Sequence, residues 1–178
     1  MRTQVTPENV EKANSQFWEQ MLGMRLERIG PGSPAGADSA SIDHLHVMGC
    51  CELAGVWSGL IEVRLSMGLA QVATAAMLMQ APEAVLSEDL LDATKEIANM
   101  IAGTIKSVLP RPCTMTVPHA EIENRDVASL DRTPGVLSVY FENDAGTLLV
   151  RVCETGVEAS IPEPKPAQSW MRPVAALA

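Results

Sequence analysis

Asp92, Glu96, Asn99 and Gly103 recur at offsets of four, seven and eleven along the chain. On an α-helix such residues stack one turn above another on a single face. The carboxamide of Asn99 offers a hydrogen-bond donor and an acceptor without charge, so it can hold a water beside an anion. A glycine inside a helix costs roughly 1 kcal/mol against Ala, and Asn prefers caps and turns. Two locally unfavourable residues on one polar stripe point to a surface selected for contact. Gly103 there lets another molecule's backbone come close. A Glu and an Asn three residues apart also occur on ordinary solvated faces, so the pair alone leaves that reading open.

The element that must carry these residues reads as a long helix from Ser87 to Leu109, stopped by Pro110-Arg111-Pro112. At 100° per residue, Leu90, Thr94, Ile97, Ile101, Ile105 and Val108 fall on one stripe, predicted to be buried. The Asp92/Glu96/Asn99/Gly103 stripe falls on nearly the opposite side. Upstream, Thr6-Pro7-Glu8 is a helix start, with a capping hydroxyl, a proline at the first helical position and an acid in the first turn. Val10, Ala13, Phe17, Met21 and Met24 come next at helical spacing, and Gly23 lies near the end. His44 to Cys50 and Gly59 to Met67 read as strands, the second as half-buried because apolar and polar residues alternate. Leu69 to Met79 reads as a helix burying Leu69, Val72, Ala73, Ala76 and Met79, ended by Ala81-Pro82. Thr114 to Glu121 reads as a strand broken at Pro118. Val136 to Glu142 and Thr147 to Val152 form a hairpin around Asn143-Asp144-Ala145-Gly146. The stretch from Gly30 to Ser41 is a Gly/Pro/Ser-rich loop, and the Pro-rich end reads as extended or disordered. The expected fold is a mixed α/β (α+β) domain over 1–160 with mainly antiparallel strands and about three helices. A tail is expected over 161–178.

Other chemistry-bearing residues carry less. His44 and His46 alternate on one strand and face one way, which could begin a metal site. No carboxylate or third histidine stands at ligand spacing, so no metal site is expected. Cys50, Cys51, Cys113 and Cys153 form neither a disulfide framework nor a zinc spacing. The vicinal pair reads as small apolar packing. Gly30-Pro-Gly-Ser-Pro lacks the Lys and the strand–helix setting of a phosphate loop. Ser58 lacks the elbow that a nucleophile needs. Glu11 and Asn14 repeat the Glu-x-x-Asn spacing. However, Asn14 lies close to the Val10/Phe17/Met21 stripe, and Trp18 stands where the long helix has Gly103.

The formal charge of −9 opposes binding to nucleic-acid phosphate or acidic membrane surfaces. The N-terminus has no secretory apolar region, and no segment is long enough to span a bilayer. A cytoplasmic protein is expected.

The segment DATKEIANMIAGTIKSVLPRPCTMTVP resembles the CheX and CheC family of chemotaxis phosphatases. The signature helix of that family holds Glu-x-x-Asn, then an apolar residue and a glycine four positions after the Asn, matched here by Glu96, Asn99, Met100 and Gly103. The proline-bounded strand ending at Val117-Pro118 is similar to the segment after the signature helix in the family. More loosely, the family pattern is matched by Met21-Leu22-Gly23 closing a first helix and by Gly55-Val-Trp-Ser-Gly59 leading into an apolar strand and an Ala-rich helix. The resemblance implies a broad sheet covered by helices. It also implies hydrolysis of the aspartyl phosphate of a CheY-type response regulator in two-component signalling. Asn99 would orient the attacking water, and Glu96 would engage the regulator's phosphate-site lysine. General base catalysis by Glu96 is the less favoured role, because an exposed carboxylate lacks the burial that suits one to that task. Asp92 and Gly103 would contact the partner. The regulator would bring the Mg²⁺, and this chain would bind no cofactor of its own. One motif per chain matches CheX-like members, which pair as homodimers. A non-catalytic domain of the same fold, binding a signalling or flagellar-switch partner, is the alternative.

Overall fold

A computed structural model of the chain describes residues 5–30, 45–124 and 135–154. Most of the loop expected over 30–41, His44 and the expected tail from 161 lie outside them. Helix α1 (Pro7–Leu22) starts as the sequence predicts. The Thr6 hydroxyl accepts from the Asn9 N–H, and the Asn9 side chain accepts from the Thr6 N–H. It ends at Gly23 in a left-handed conformation, φ 64°, where a side chain would be strained. Val10, Ala13 and Phe17 are buried, but Met21, expected on the same stripe, is exposed in the last turn.

The strands are β1 (Glu27–Ile29), β2 (Leu45–Gly55), β3 (Gly59–Ser66), β4 (Cys113–Met115), β5 (His119–Asn124), β6 (Val136–Asn143) and β7 (Gly146–Glu154). They form one sheet in the order β1-β6-β7-β3-β2-β4, with β5 pairing β2 beside β4. All pairings are antiparallel. The strand expected to break near Pro118 is thus two, β4 on the C-terminal half of β2 and β5 on its N-terminal half. The expected hairpin is β6–β7, closed by Asn143 Oδ1 accepting from the Ala145 N–H at 2.9 Å. The short strand β1 is an addition to the elements that the sequence predicts.

Helix α2 (Met67–Leu78) comes directly after β3. It buries Leu69 and Ala73 as expected, but Ala70, Thr74 and Ala75 complete the face. Ala76 is exposed, and Met79 is 93% exposed in a left-handed cap. A helix apolar nearly all round gives the wheel no phase to read. Helix α3 (Ser87–Ser107) then crosses β2, after a single 3-10 turn at Pro82–Ala84. The core fills the space between the three helices and one sheet face, with Phe17, Trp18, Ile61, Leu65, Leu69, Ile97, Ile101 and Leu148 among its members.

Strand β3 corrects the half-buried expectation, because it is buried along both faces. Glu62 and Arg64 point away from the core yet are 4% and 2% exposed. Glu62 Oε1 accepts from Arg64 Nε at 2.6 Å and from Arg151 Nη1 at 3.1 Å, and Arg64 also bonds Glu123. Charges can be buried there because they are paired across β3, β7 and β5. Alternation marked two different faces, not a dry one and a wet one. No helix among the described residues is long and apolar enough to cross a membrane.

Candidate functional site

Helix α3 is held against β2 by a close approach at Gly49. A Cβ there would lie 2.9 Å from Thr94 Cγ2 and 3.1 Å from Ala98 Cβ, so only glycine lets the helix seat at this depth. Asp89 accepts from the Leu86 N–H at 2.9 Å and fixes the helix start. Leu90, Thr94, Ile97, Ile101 and Ile105 are buried as the wheel predicts, joined by Ala93, Ala98 and Ala102. Val108 departs from it: it lies just past the last turn and is 43% exposed.

With that face pinned, the opposite stripe is turned outward. Asp92 and Glu96 are exposed, and Asn99 and Gly103 are half-buried. Glu96 and Asn99 are separated by about 4.5 Å of helix rise. Among the described residues, neither side chain is engaged in an ion pair or a side-chain hydrogen bond. Asp92 differs: its Oδ1 takes Lys95 Nζ at 2.9 Å, an exposed pair on the same helix. A Cβ on Gly103 would meet nothing within 4 Å. Nothing among the described residues requires glycine there, and they leave the space above it open.

The stripe continues past Gly103, beyond the four residues that the spacing singles out. Lys106 is seven residues beyond Asn99, about 20° away on the wheel and about 10 Å along the axis. Gly103, Lys106 and Ser107 form one side of an open groove of about 710 Å³, with Arg111, Cys113 and Met115 across from them. The far wall is built by non-local contacts. The Val56 N–H donates to the Pro112 carbonyl at 3.0 Å, Cys113 pairs with Gly55 across β2–β4, and Cys113 Sγ lies 3.6 Å from the Trp57 carbonyl. Gly55 sits at φ 150°, and a Cβ there would lie 2.2 Å from that Pro112 oxygen.

The second Glu-x-x-Asn is placed differently. Asn14 is 1% exposed, and among the described residues neither side-chain polar atom has a hydrogen-bond partner. Glu11 takes Arg28 Nη1 at 3.1 Å. Among the described residues, no group of three or more His, Cys, Asp or Glu could hold a metal. His46 is buried on β2, opposite Ser66 and Glu123. Burial, with Glu62 nearby, pushes the Cys50 thiol up to about 11, and burial pushes Cys51 up to about 12. Both therefore stay protonated and unreactive near neutrality. Ser58 accepts from the Gly55 N–H at 3.2 Å and closes a turn.

A family model described as chemotaxis phosphatase CheX matches residues 47–140. A search of curated proteins gives no match. Among solved structures the chain is similar to chemotaxis protein CheX from Vibrio vulnificus, at 18% identity over 85% of this chain and 99% of that one, TM-score 0.65. It is similar to a CheC-like superfamily protein from Shewanella sp. PV-4, at 20% identity over 84% and 96%, TM-score 0.65. It is also similar to a chain of the CheX–CheY–BeF3–Mg²⁺ complex from Borrelia burgdorferi, at 18% identity over 83% and 96%, TM-score 0.60. At these identities the structural likeness shows a shared fold.

Proposed function

The chain belongs to the chemotaxis phosphatase CheX family, and from that premise we propose that it hydrolyses the aspartyl phosphate of a CheY-type response regulator. Asn99 orients the attacking water, and Glu96 engages the regulator's phosphate-site lysine. The observation that carries this reading is the outward face of α3, where both groups stand unengaged by the described residues, beside the open space over Gly103. The relative from Borrelia burgdorferi in complex with CheY supports the choice of partner.

An aspartyl phosphate is a mixed anhydride, already activated by the Mg²⁺ and lysine of the regulator. What its hydrolysis lacks is an aimed water. The water oxygen attacks phosphorus, the bond to the aspartyl oxygen breaks, and the products are a free carboxylate and inorganic phosphate. The Asn99 carboxamide can hold that water without repelling the phosphoryl oxygens, as a carboxylate would. Glu96, one turn earlier, pairs with the lysine through a charge-assisted contact that fixes the docked geometry. An acceleration of about 100-fold over self-hydrolysis asks for only ~2.7 kcal/mol. Asp92 and Gly103 flank the pair as docking contacts, Asp92 through the carboxylate oxygen that Lys95 leaves uncovered.

The test is a phosphate-release assay against phosphorylated receiver proteins, with Asn99→Ala as control. Release that depends on Asn99 is the expected result. Binding of the phosphorylated regulator without release would leave the chain as an interaction domain of the same fold.

A further inference from the structure

The charges along α3 change sign across the proposed site. Asp92 and Glu96 stand at its N-terminal side, the uncharged Asn99 and Gly103 in the middle, and Lys106 at the far end, about 15 Å of helix rise from Glu96. Arg111 lines the same groove as Lys106. This pairing is unusual in a chain with 22 Asp and Glu against 13 Lys and Arg. Arg28, Arg64, Lys95 and Arg151 each sit against a carboxylate. Among the described residues, Lys12, Arg25, Lys106 and Arg111 have none, and of these Lys106 and Arg111 share one groove. A lysine in the last turn complements the helix dipole, which accounts for Lys106 alone. It does not account for Arg111, whose chain neighbours are held beside β2 by the β2–β4 pairing and the Val56–Pro112 hydrogen bond.

We infer that this groove is a second docking contact for the same regulator, taking a carboxylate-bearing surface that flanks its phosphorylation site. The proposal rests on the phosphatase reading above and adds an orientation to it. A partner that offers a lysine to Glu96 and acidic side chains to Lys106 and Arg111 can lie along α3 in one direction only. Reversed, it meets like charges at both ends. The groove gives the pair more weight than a flat surface would, because Met115 and Cys113 line it and a partner carboxylate seated there is partly withdrawn from water. Lys106 stands about 10 Å of helix rise beyond Asn99 and Arg111 lies past the end of the helix, so their effect is expected on association and not on the hydrolytic step.

The experiment is single-turnover decay of a purified phosphorylated receiver protein, over a range of concentrations of this chain, for wild type and the double variant Lys106→Glu/Arg111→Glu. The neutral single variants Lys106→Gln and Arg111→Gln are run beside it in case the double variant does not fold. The half-saturating concentration is expected to rise roughly tenfold for the charge reversal and a few-fold for each neutral variant, with the saturating rate within about twofold of wild type. The salt dependence of the apparent second-order rate should also flatten. Folded variants with an unchanged half-saturating concentration overturn the groove assignment, as does a melting temperature that falls while half-saturation stays put, the signature of a helix-dipole role alone. A wild-type chain that accelerates decay of no receiver protein overturns the phosphatase reading instead, so the two failures are told apart.

Discussion

The chain spells Glu-x-x-Asn twice, and the two copies meet opposite fates. In α3, Glu96 and Asn99 face outward, unengaged by the described residues, with open space over Gly103 four residues on. In α1, Glu11 is tied to Arg28, Asn14 is 1% exposed, and the residue four positions on is Trp18, fully buried and in edge-to-face contact with Phe17. Spacing puts the two letters on neighbouring turns in both helices. The phase of each pair against its helix's apolar stripe decides whether the amide meets a partner or the core. A motif of this kind is a statement about a face, and the residue at the fourth position after Asn reports which face it is.

The fourth positions give the largest contrast. Trp18→Ala should cost about 3–5 kcal/mol of folding stability, since it empties a fully buried indole site; urea titration measures it. A loss under about 1 kcal/mol would mean that the α1 face is not the core face. Next comes Asn99→Ala, expected to return regulator dephosphorylation to the self-hydrolysis rate, a fall of about 100-fold, with thermal stability near wild type. Equal turnover in mutant and wild type would erase the functional difference between the two copies. Gly103→Leu is third. It should raise helix stability by up to about 1 kcal/mol while weakening affinity for the phosphorylated regulator roughly tenfold, because the new side chain fills the space a partner would need. Opposite signs in melting temperature and affinity are the readout, and a variant that gains stability with no loss of affinity would remove the close-approach argument.

Legibility in the sequence obeys the same logic of faces. The outward stripe of α3 was readable because Leu90, Thr94, Ile97, Ile101 and Ile105 repeat over a 21-residue helix with polar residues opposite, which leaves one choice of phase. Helix α2 was not, because apolar residues surround its axis. Met21, Met79 and Val108 broke the pattern at helix ends, where the chain leaves the core. The antiparallel β6–β7 hairpin was local and its turn chemistry showed it. Strand β1 was missed because three residues carry no period, and its pairing with β6 spans more than a hundred residues. Strand β3 was misread because Glu62 and Arg64 looked solvated, and their partners Glu123 and Arg151 are distant in sequence. At the site, Lys106 could have been found by extending the wheel one step past Gly103. Arg111 could not, since its place in the same groove depends on β2 capturing the segment after Pro110.

The smallest expected effect lies at Asn14, and it tests the buried copy directly. Among the described residues its buried amide nitrogen and oxygen have no partner, and an unsatisfied buried polar group costs about 1–3 kcal/mol. Leucine has the same branched heavy-atom shape, a larger volume and no polar atoms, so it removes that cost without opening a cavity and at some cost in overpacking. Asn14→Leu should therefore raise stability by about 1 kcal/mol, part of the gain being lost to imperfect fit of the branched side chain. Turnover of a phosphorylated regulator should not change. Chemical denaturation and phosphate release on one preparation of the variant read both quantities. If stability falls and turnover falls with it, Asn14 is held by a polar interaction that both folding and catalysis use, and the two copies are not the opposites their exposure makes them.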